Sequence, residues 1–244
     1  MESTATNTPS VEPALYLFPV PLSTGSADTV LPDFNLRLVS LVKHFIVENT
    51  RSARRFLKLC DRSIDIDSLT FTELNRHTNA ADIPAMLEPL AHGEAVGVIS
   101  EAGCPAIADP GADVVAIAQR RGFKVVPLVG PSSILMSMMA SGFNGQSFAF
   151  NGYLPIDRDA RAKALKTMQQ RIVHERQTQI FIETPYRNNK LIAELASSLP
   201  GNMLMCIASD ITGQRQSILT RSCADWKRAK YDYDKIPAIF LLFS

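Results

Sequence analysis

Four short segments of this 244-residue chain combine glycine, proline and small side chains with a few carboxylates. They are Pro19-Val20-Pro21-Leu22, Glu48-Asn49-Thr50-Arg51, Ser100-Glu101-Ala102-Gly103-Cys104-Pro105 and Val129-Gly130-Pro131-Ser132-Ser133. Such segments suit a ligand held mainly by main-chain groups. Gly103 and Gly130 let a ligand come close to the backbone, and the unpaired N–H groups of a helix starting after Pro131 attract a carboxylate. Each segment alone also reads as an ordinary turn, because Gly and Pro punctuate most turns. The third segment runs on through Ala106 to Gly111, where Asp109 is placed to N-cap the next helix with Pro110 at its first position. Neither G-x-G-x-x-G nor G-x-x-x-x-G-K-[ST] occurs, so a nicotinamide or nucleoside triphosphate site has no motif behind it.

The elements between these segments alternate as in parallel sheets with helical crossovers. Strands are expected at Ala14–Val20, His44–Glu48, Ser68–Leu74, Ala95–Ser100 and Lys124–Val129. Helices are expected at Asp33–Val42, Thr50–Asp61, Asp82–Ala91 and Gly111–Arg121. The second half opens with a helix over Ser132–Ser141, small or apolar on every side, and a helix without a polar face is normally buried. Strands at Ser147–Tyr153, Gln179–Glu183, Met203–Ser209, Ser217–Arg221 and Ala238–Phe243 follow, with helices at Arg158–Val173, Asn188–Ser198 and Ala224–Lys230. Some of these strands succeed one another so closely that the second sheet should be mixed. The reading is two α/β domains, residues 14–129 and 130–244, behind a disordered tail from Met1 to Pro13. If the first strands are parallel, all four segments lie on one rim, beyond the carboxyl ends of the strands where open α/β sheets bind ligands.

Composition narrows the function. Lys and Arg number 25 against 24 Asp and Glu, so nothing global draws the chain to nucleic acid or anionic lipid. Cys60, Cys104, Cys206 and Cys223 are far apart and point to neither zinc nor disulfides, and the four histidines form no metal-spaced cluster. No metal is expected. The Ser- and Thr-rich start lacks the apolar core of a signal peptide, and no apolar run reaches the roughly 20 residues of a membrane span. A cytoplasmic protein is expected.

The same segments carry a family resemblance. Ser100 to Gly111, S-E-A-G-C-P-A-I-A-D-P-G, resembles the S-D-A-G-T-P-x-I-x-D-P-G signature of the tetrapyrrole methylase superfamily, and within it the 16S ribosomal RNA 2′-O-ribose methyltransferase I branch. L-Y-L-F-P-V-P-L resembles that family's first strand and its P-T-P-I loop, and V-E-N-T-R resembles A-E-D-T-R. V-V-P-L-V-G-P-S-S, F-N-G-Y-L-P and F-I-E-T-P-Y-R resemble three further motifs, in the right order and spacing. The resemblance implies a homodimeric two-domain methyltransferase with S-adenosylmethionine between the domains. It implies cofactor contacts at Pro21, Glu101, Ala102, Gly103, Pro105, Ser132, Ser133, Tyr153, Leu154, Glu183, Ala208 and Ser209. The chain departs from the branch at Leu22-Ser23-Thr24-Gly25, which replaces I-G-N-L. Asn49 and Glu101 stand where the branch has Asp, and Ala208–Gly213, A-S-D-I-T-G, replaces A-R-E-L-T-K and removes two cations.

Methyl transfer from a sulfonium is a direct displacement, so alignment of the reactants is the enzyme's main task. A ribose hydroxyl also needs a proton acceptor. Glu101 is the first choice, and it serves equally as a partner for the cofactor's amine; Glu183 and Asp210 are the others. Glu183 reads alternatively as a carboxylate holding the sheet end together. Arg51, Arg54, Arg55, Lys58 and Arg62 recur at helical spacing as one basic stripe, which reads either as a solvated face or as a phosphate-contacting surface for ribosomal RNA or the small ribosomal subunit. Two rivals stay open: a small-molecule, tetrapyrrole-like methyltransferase of the same fold, and a cofactor-binding protein that has lost catalysis.

Overall fold

The computed structural model describes residues 11–25 and 27–244, so most of the expected tail, residues 1–10, lies outside the described residues. The chain divides into two compact units between Pro131 and Ser132.

The first unit holds five strands: β1 (Leu15–Phe18), β2 (His44–Val47), β3 (Thr70–Glu73), β4 (Val96–Ile99) and β5 (Val125–Pro127). They lie in the order β3-β2-β4-β1-β5, every pair parallel. The inner strands β1, β2 and β4 are apolar at nearly every position because both faces are covered. Tyr16, Phe18, Phe45, Val47 and Ile99 face α1 (Asp33–Val39) and α2 (Thr50–Cys60). Leu15, Leu17, Ile46, Val96 and Val98 face α3 (Glu88–Ala91) and α4 (Gly111–Arg120). The parallel arrangement brings the carboxyl ends of β2, β4, β1 and β5 side by side, and with them all four glycine- and proline-bearing segments.

Two expected helices differ. Asp33–Val42 stops at Val39, with Ser40 at the C-cap. Asp82–Ala91 is not one α-helix: a 3-10 turn at Ile83–Leu87 leads into α3. Pro84 and Pro89 lack the N–H that a continuous ladder needs. Gly130 also differs from expectation. Its open side is filled by the ring of Pro19, with Leu31 Cδ2 3.3 Å from where a Cβ would stand. The glycine serves chain-on-chain packing, and the buried Asn35 fixes its neighbour by donating to the Val129 carbonyl at 2.8 Å.

The second unit contains α5 (Ser133–Ser141), β6 (Phe148–Tyr153), α6 (Arg158–Glu175), β7 (Thr178–Ile182), α7 (Asn188–Ser198), β8 (Leu204–Ser209), β9 (Ser217–Ser222), α8 (Cys223–Arg228) and β10 (Ala238–Phe243). Its sheet runs β6-β7-β10-β8-β9 and is mixed: β6 and β7 are parallel and the remaining pairs antiparallel. Its core joins Leu165, Met168 and Ile172 of α6, Leu191, Ile192 and Leu195 of α7 and Trp226 of α8 to Phe181, Met205, Ile207 and Phe240 of the sheet. Trp226 Nε1 donates to the Met205 carbonyl at 2.8 Å, so its one polar atom is satisfied inside.

The apolar helix α5 is not buried on all sides. It lies against β8, β9 and β10 through Ser137, Met138 and Ser141, while Leu135 is 54% and Met139 84% exposed. The inward serines are tolerated because Ser137 Oγ donates to Ile134 O at 3.0 Å and Ser141 Oγ to Met138 O at 2.9 Å. Small side chains let the helix approach the sheet, and the long ones point away.

Alanine at position 130 must displace the Pro19 ring, an overpacking that costs about 1–3 kcal/mol. Gly130→Ala should therefore lower unfolding stability in urea by that amount. Gly145→Ala, which meets nothing within 4 Å, should stay within about 0.5 kcal/mol of the parent.

Candidate active site

After β1 and β4 the chain turns, and the two loops join by a pair of hydrogen bonds. Val20 N–H donates to Gly103 O and Gly103 N–H to Val20 O, both at 2.9 Å. Gly103 sits at φ +72°, where a Cβ would meet Leu22 Cδ2 at 3.2 Å and the Pro131 carbonyl oxygen at 3.7 Å. Cys104 Sγ donates to that same carbonyl at 3.5 Å. The loops after β1, β4 and β5 thus converge on Gly103. Pro21 is half-buried, Pro105 buried, and Glu101 and Ala102 exposed.

The chain beyond Pro105 is strained. Ala106 and Ala108 hold φ of +65° and +61°, a region costing side-chain-bearing residues about 1–3 kcal/mol each and concentrated at ligand sites. Asp109 holds this loop in place. Its carboxylate accepts from Ala106 N at 2.9 Å and from Gly111 N at 2.7 Å. The cap acts as expected, one residue earlier than the formal N-cap, which is Pro110. Burial pushes the Asp109 carboxyl above its ordinary range, against the pull of the Gly111 and Ala106 amides.

Beside this loop lies an open depression of about 960 Å³ walled by Glu48, Asn75, Arg76, His77, Glu101 and Asp109. Glu48 was not singled out in the sequence. It follows β2 directly, and the return of the Ser100 loop half-buries it. Burial, then the Glu101 carboxylate, then Asp109 push its carboxyl upward, against an opposing bond from the Glu101 backbone N–H. Glu101, the first choice as proton acceptor, is exposed and accepts from Ser52 Oγ at 3.0 Å. Glu48 and Asp109 are both raised, but Asp109 is bound to the Ala106 and Gly111 amides, which leaves Glu48 as the better candidate base.

The basic stripe divides in four. Arg51 and Arg55 are exposed and, among the described residues, have no ion pair. The Arg54 guanidinium lies over the Phe71 ring, 5.5 Å from its centroid. Lys58 Nζ donates to the carbonyls of Arg62 at 2.9 Å and Ile64 at 2.7 Å, closing the turn after α2. Arg62 lies past the C-cap, Asp61, and so off the helical stripe. A second open depression, about 680 Å³, is walled by Arg51, Arg54, Arg55, Lys58, Ile66 and Glu73.

In the second unit β8 runs in the same direction as β6 and β7, because β10 is antiparallel to both its neighbours. Tyr153 pairs with Ile182, Ile182 and Ala208 both pair with Ile239, and Ser209 pairs with Ala238. Tyr153, Glu183 and Ser209 are thereby brought to one edge of the sheet. Their accessibility differs. Tyr153 is 61% exposed, whereas Leu154 belongs to the core and Ala208 and Ser209 are buried. Ala208 is wholly buried, main chain included, and Leu154 nearly so. Ser209 Oγ donates to Ser217 O at 3.3 Å. Ser132 caps α5, its Oγ accepting from Leu135 N at 3.4 Å, and Ser133 begins the helix.

Glu183 and Asp210 are engaged in holding structure. Glu183 Oε1 accepts from Thr184 N at 2.7 Å, and Oε2 faces Arg187 Nη2 at 3.1 Å. Asp210 accepts from Arg215 N at 2.8 Å and lies over Gly213, where any Cβ would overlap its carboxylate. The lysine-to-glycine departure at position 213 is therefore matched to a folded-back Asp210. Buried Arg161, also not singled out, fixes the loop after β6 through the Pro155 and Ile156 carbonyls at 2.8 and 2.7 Å and a bidentate pair with Glu194 at 2.7 and 2.9 Å. Burial pushes the Cys60 and Cys223 thiols up to about 12 and about 11, which disfavours their thiolates.

Solved methyltransferases share this fold. CobJ superimposes with a TM-score of 0.59 at 14% identity over 89% of both chains. Uroporphyrin III C-methyltransferase from Thermus thermophilus does so at 0.55 and 15% identity, over 94% of this chain and 97% of its own. Cobalt precorrin-4 methyltransferase gives 0.56 at 12% identity over 94% of both. The protein has the tetrapyrrole methylase fold. No family model matches the sequence. Its similarity to curated proteins is closer. Ribosomal RNA small subunit methyltransferase I of Mesorhizobium japonicum is 34% identical over 224 residues, 88% of this chain and 70% of that protein. Its namesake in Vibrio cholerae is 30% identical over 213 residues, 86% and 69% respectively. The chain belongs to the ribosomal RNA small subunit methyltransferase I family. No helix among the described residues is long and apolar enough to cross a membrane.

Asp109→Ala strips two amides of their acceptor and should cost about 0.5–2 kcal/mol in unfolding stability. Asp109→Asn keeps an oxygen acceptor and should recover most of it. The sign with pH follows from burial. A carboxyl raised in the folded state binds its proton more tightly there, so its ionisation destabilises the fold as pH rises. The Asn variant should lack that slope in urea titrations run at several pH values.

Proposed function

We propose that the chain methylates ribose 2′-oxygens of small-subunit ribosomal RNA using S-adenosylmethionine, as a cytoplasmic homodimer. The observation that carries this reading is the 34% identity over 224 residues to a ribosomal RNA small subunit methyltransferase I. The solved tetrapyrrole enzymes, at 12–15% identity, speak for the fold alone.

The strand-end rim of the first unit suits such a cofactor. Gly103, buried at positive φ and bonded through its backbone to Val20, fixes the course of the rim beside Pro21, and the exposed Glu101 carboxylate can accept from hydroxyl or ammonium groups. Pro21, Glu101, Ala102, Gly103 and Pro105 would hold the cofactor there. Ser132, Ser133, Tyr153, Leu154, Glu183, Ala208 and Ser209 belong to the same proposal; of these Tyr153 is the most exposed, and Leu154 and Ala208 are buried. S-adenosylmethionine supplies a methyl group on a sulfonium, open to attack by a hydroxyl oxygen. This chain's part is to orient that hydroxyl and take its proton. Glu48 replaces Glu101 and Glu183 as the acceptor. It is half-buried in the depression, whereas Glu101 is tied to Ser52 and Glu183 to Thr184 and Arg187.

Incubation with labelled cofactor and small ribosomal subunits from cells lacking this protein tests the reading. Label should enter RNA and survive alkaline hydrolysis in a dinucleotide, because a methylated 2′-oxygen cannot attack the neighbouring phosphodiester. Label only in small molecules would favour a tetrapyrrole-like substrate, and cofactor binding without transfer would favour lost catalysis.

Glu48 must be ionised to accept a proton, and its carboxyl is raised. The acid limb of kcat/KM should therefore lie above the ordinary glutamate value of about 4.3. Glu48→Gln should lower kcat by about 10²–10⁴-fold, the span of general-base contributions, and remove that limb. A variant with parental kcat would eliminate Glu48 as the acceptor.

A further inference from the structure

We infer that the outer face of α2 binds the phosphate backbone of single-stranded RNA, with Arg51 and Arg55 as its contacts, and that the target nucleoside occupies the adjoining carboxylate-walled depression. The inference rests on the reading of this chain as an RNA methyltransferase.

Charge is segregated on this part of the surface. The whole chain is almost balanced, with a net charge of +1. Yet the depression beside α2 is walled by four cations and a single carboxylate, Glu73. That carboxylate is occupied with the helix start, accepting from Thr50 N at 3.0 Å and Thr50 Oγ1 at 2.8 Å. A local field of one sign draws phosphate even when the net charge does not.

The four cations do not contribute alike. Lys58 is spent on the carbonyls after the helix, and Arg54 rests on Phe71. Arg51 and Arg55 stand one turn apart on the same face, about 6 Å along the axis. That step is similar to the spacing of successive phosphates in an extended strand.

The N-terminus of α2 is closed to an anion. Asn49 Oδ1 takes the Ser52 amide at 3.1 Å, and Glu73 takes that of Thr50. Phosphate is therefore left to the side of the helix. The second depression adjoins the first at Asn49, which lines both. Its wall carries three carboxylates, Glu48, Glu101 and Asp109, against Arg76 and His77, so it draws phosphate less than the α2 side does, and Glu48 can accept from the hydroxyl of a nucleoside. A strand crossing Asn49 thus has its backbone directed onto α2 and its donors toward the carboxylates. The neutral Asn49, standing where relatives of the resemblance carry Asp, keeps another negative charge off this junction.

The test compares the parent, R51A/R55A and a control, K163A/K166A, whose lysines are exposed on α6. Binding to naked 16S ribosomal RNA and to unmethylated small subunits is measured against salt, and S-adenosylhomocysteine binding by calorimetry. R51A/R55A should bind naked RNA about tenfold or more weakly, and its log–log salt slope should flatten by about 1.4, two phosphates at about 0.7 each. S-adenosylhomocysteine affinity and the control should match the parent. An unchanged slope and affinity in R51A/R55A, beside a parent that methylates RNA, would overturn this inference alone. Loss confined to whole subunits, with naked RNA bound as before, would assign the arginines to an acidic protein and also overturn it. A parent that neither binds nor methylates RNA would remove the functional reading and the groove together.

Discussion

The site depends on the reciprocal hydrogen bond between Val20 and Gly103. Two strands that run side by side have no inherent reason to keep their outgoing loops together. Here each loop satisfies the other's backbone donor and acceptor at 2.9 Å, and a loop with its polar groups paired need not be solvated to be stable. Gly103 makes this possible because its positive φ turns the chain without the strain a Cβ would bring. The β5 loop follows through the Pro131 carbonyl and Cys104, and the Asp109 carboxylate holds the strained stretch from Ala106 to Ala108. The rim is a set of main-chain groups fixed by one another, with carboxylates beside them.

The parallel sheet explains why these loops can meet at all. All its strands point one way, so every loop leaving a carboxyl end emerges on the same side. The cost is that β1, β2 and β4 must be apolar on both faces, which is why L-Y-L-F, F-I-V and V-G-V-I read as they do. The second unit reaches a comparable edge differently. β10 inserts antiparallel between β7 and β8 and restores a common direction to β6, β7 and β8. Arg161, buried beneath that edge, pins the loop after β6.

Much of this was legible in the sequence, and the failures have physical causes. Most strands declared themselves as short apolar runs between breakers, β3 by its alternation, and the motif from Ser100 to Gly111 marked the rim. Pro84 and Pro89 broke a helix that hydrophobic spacing alone joined. The seam of α5 was misjudged because serines that satisfy their hydroxyls within the helix can be buried while Leu135 and Met139 are not. Glu48 was missed because its environment is made by Glu101 and Asp109, more than fifty residues away in sequence, and a shifted carboxyl is a property of assembled neighbours. Lys58 and Asp210 were each credited with freedom that local turns had already taken.

The most direct test of this account is calorimetric titration of S-adenosylhomocysteine into the parent and Gly103→Ala. The parent should give a saturable heat. The folded variant, strained by about 1–3 kcal/mol at a positive φ, should bind about tenfold or more weakly. A parent with no heat at millimolar ligand, or a variant that binds as tightly as the parent, would contradict a cofactor site built on the backbone around Val20 and Gly103.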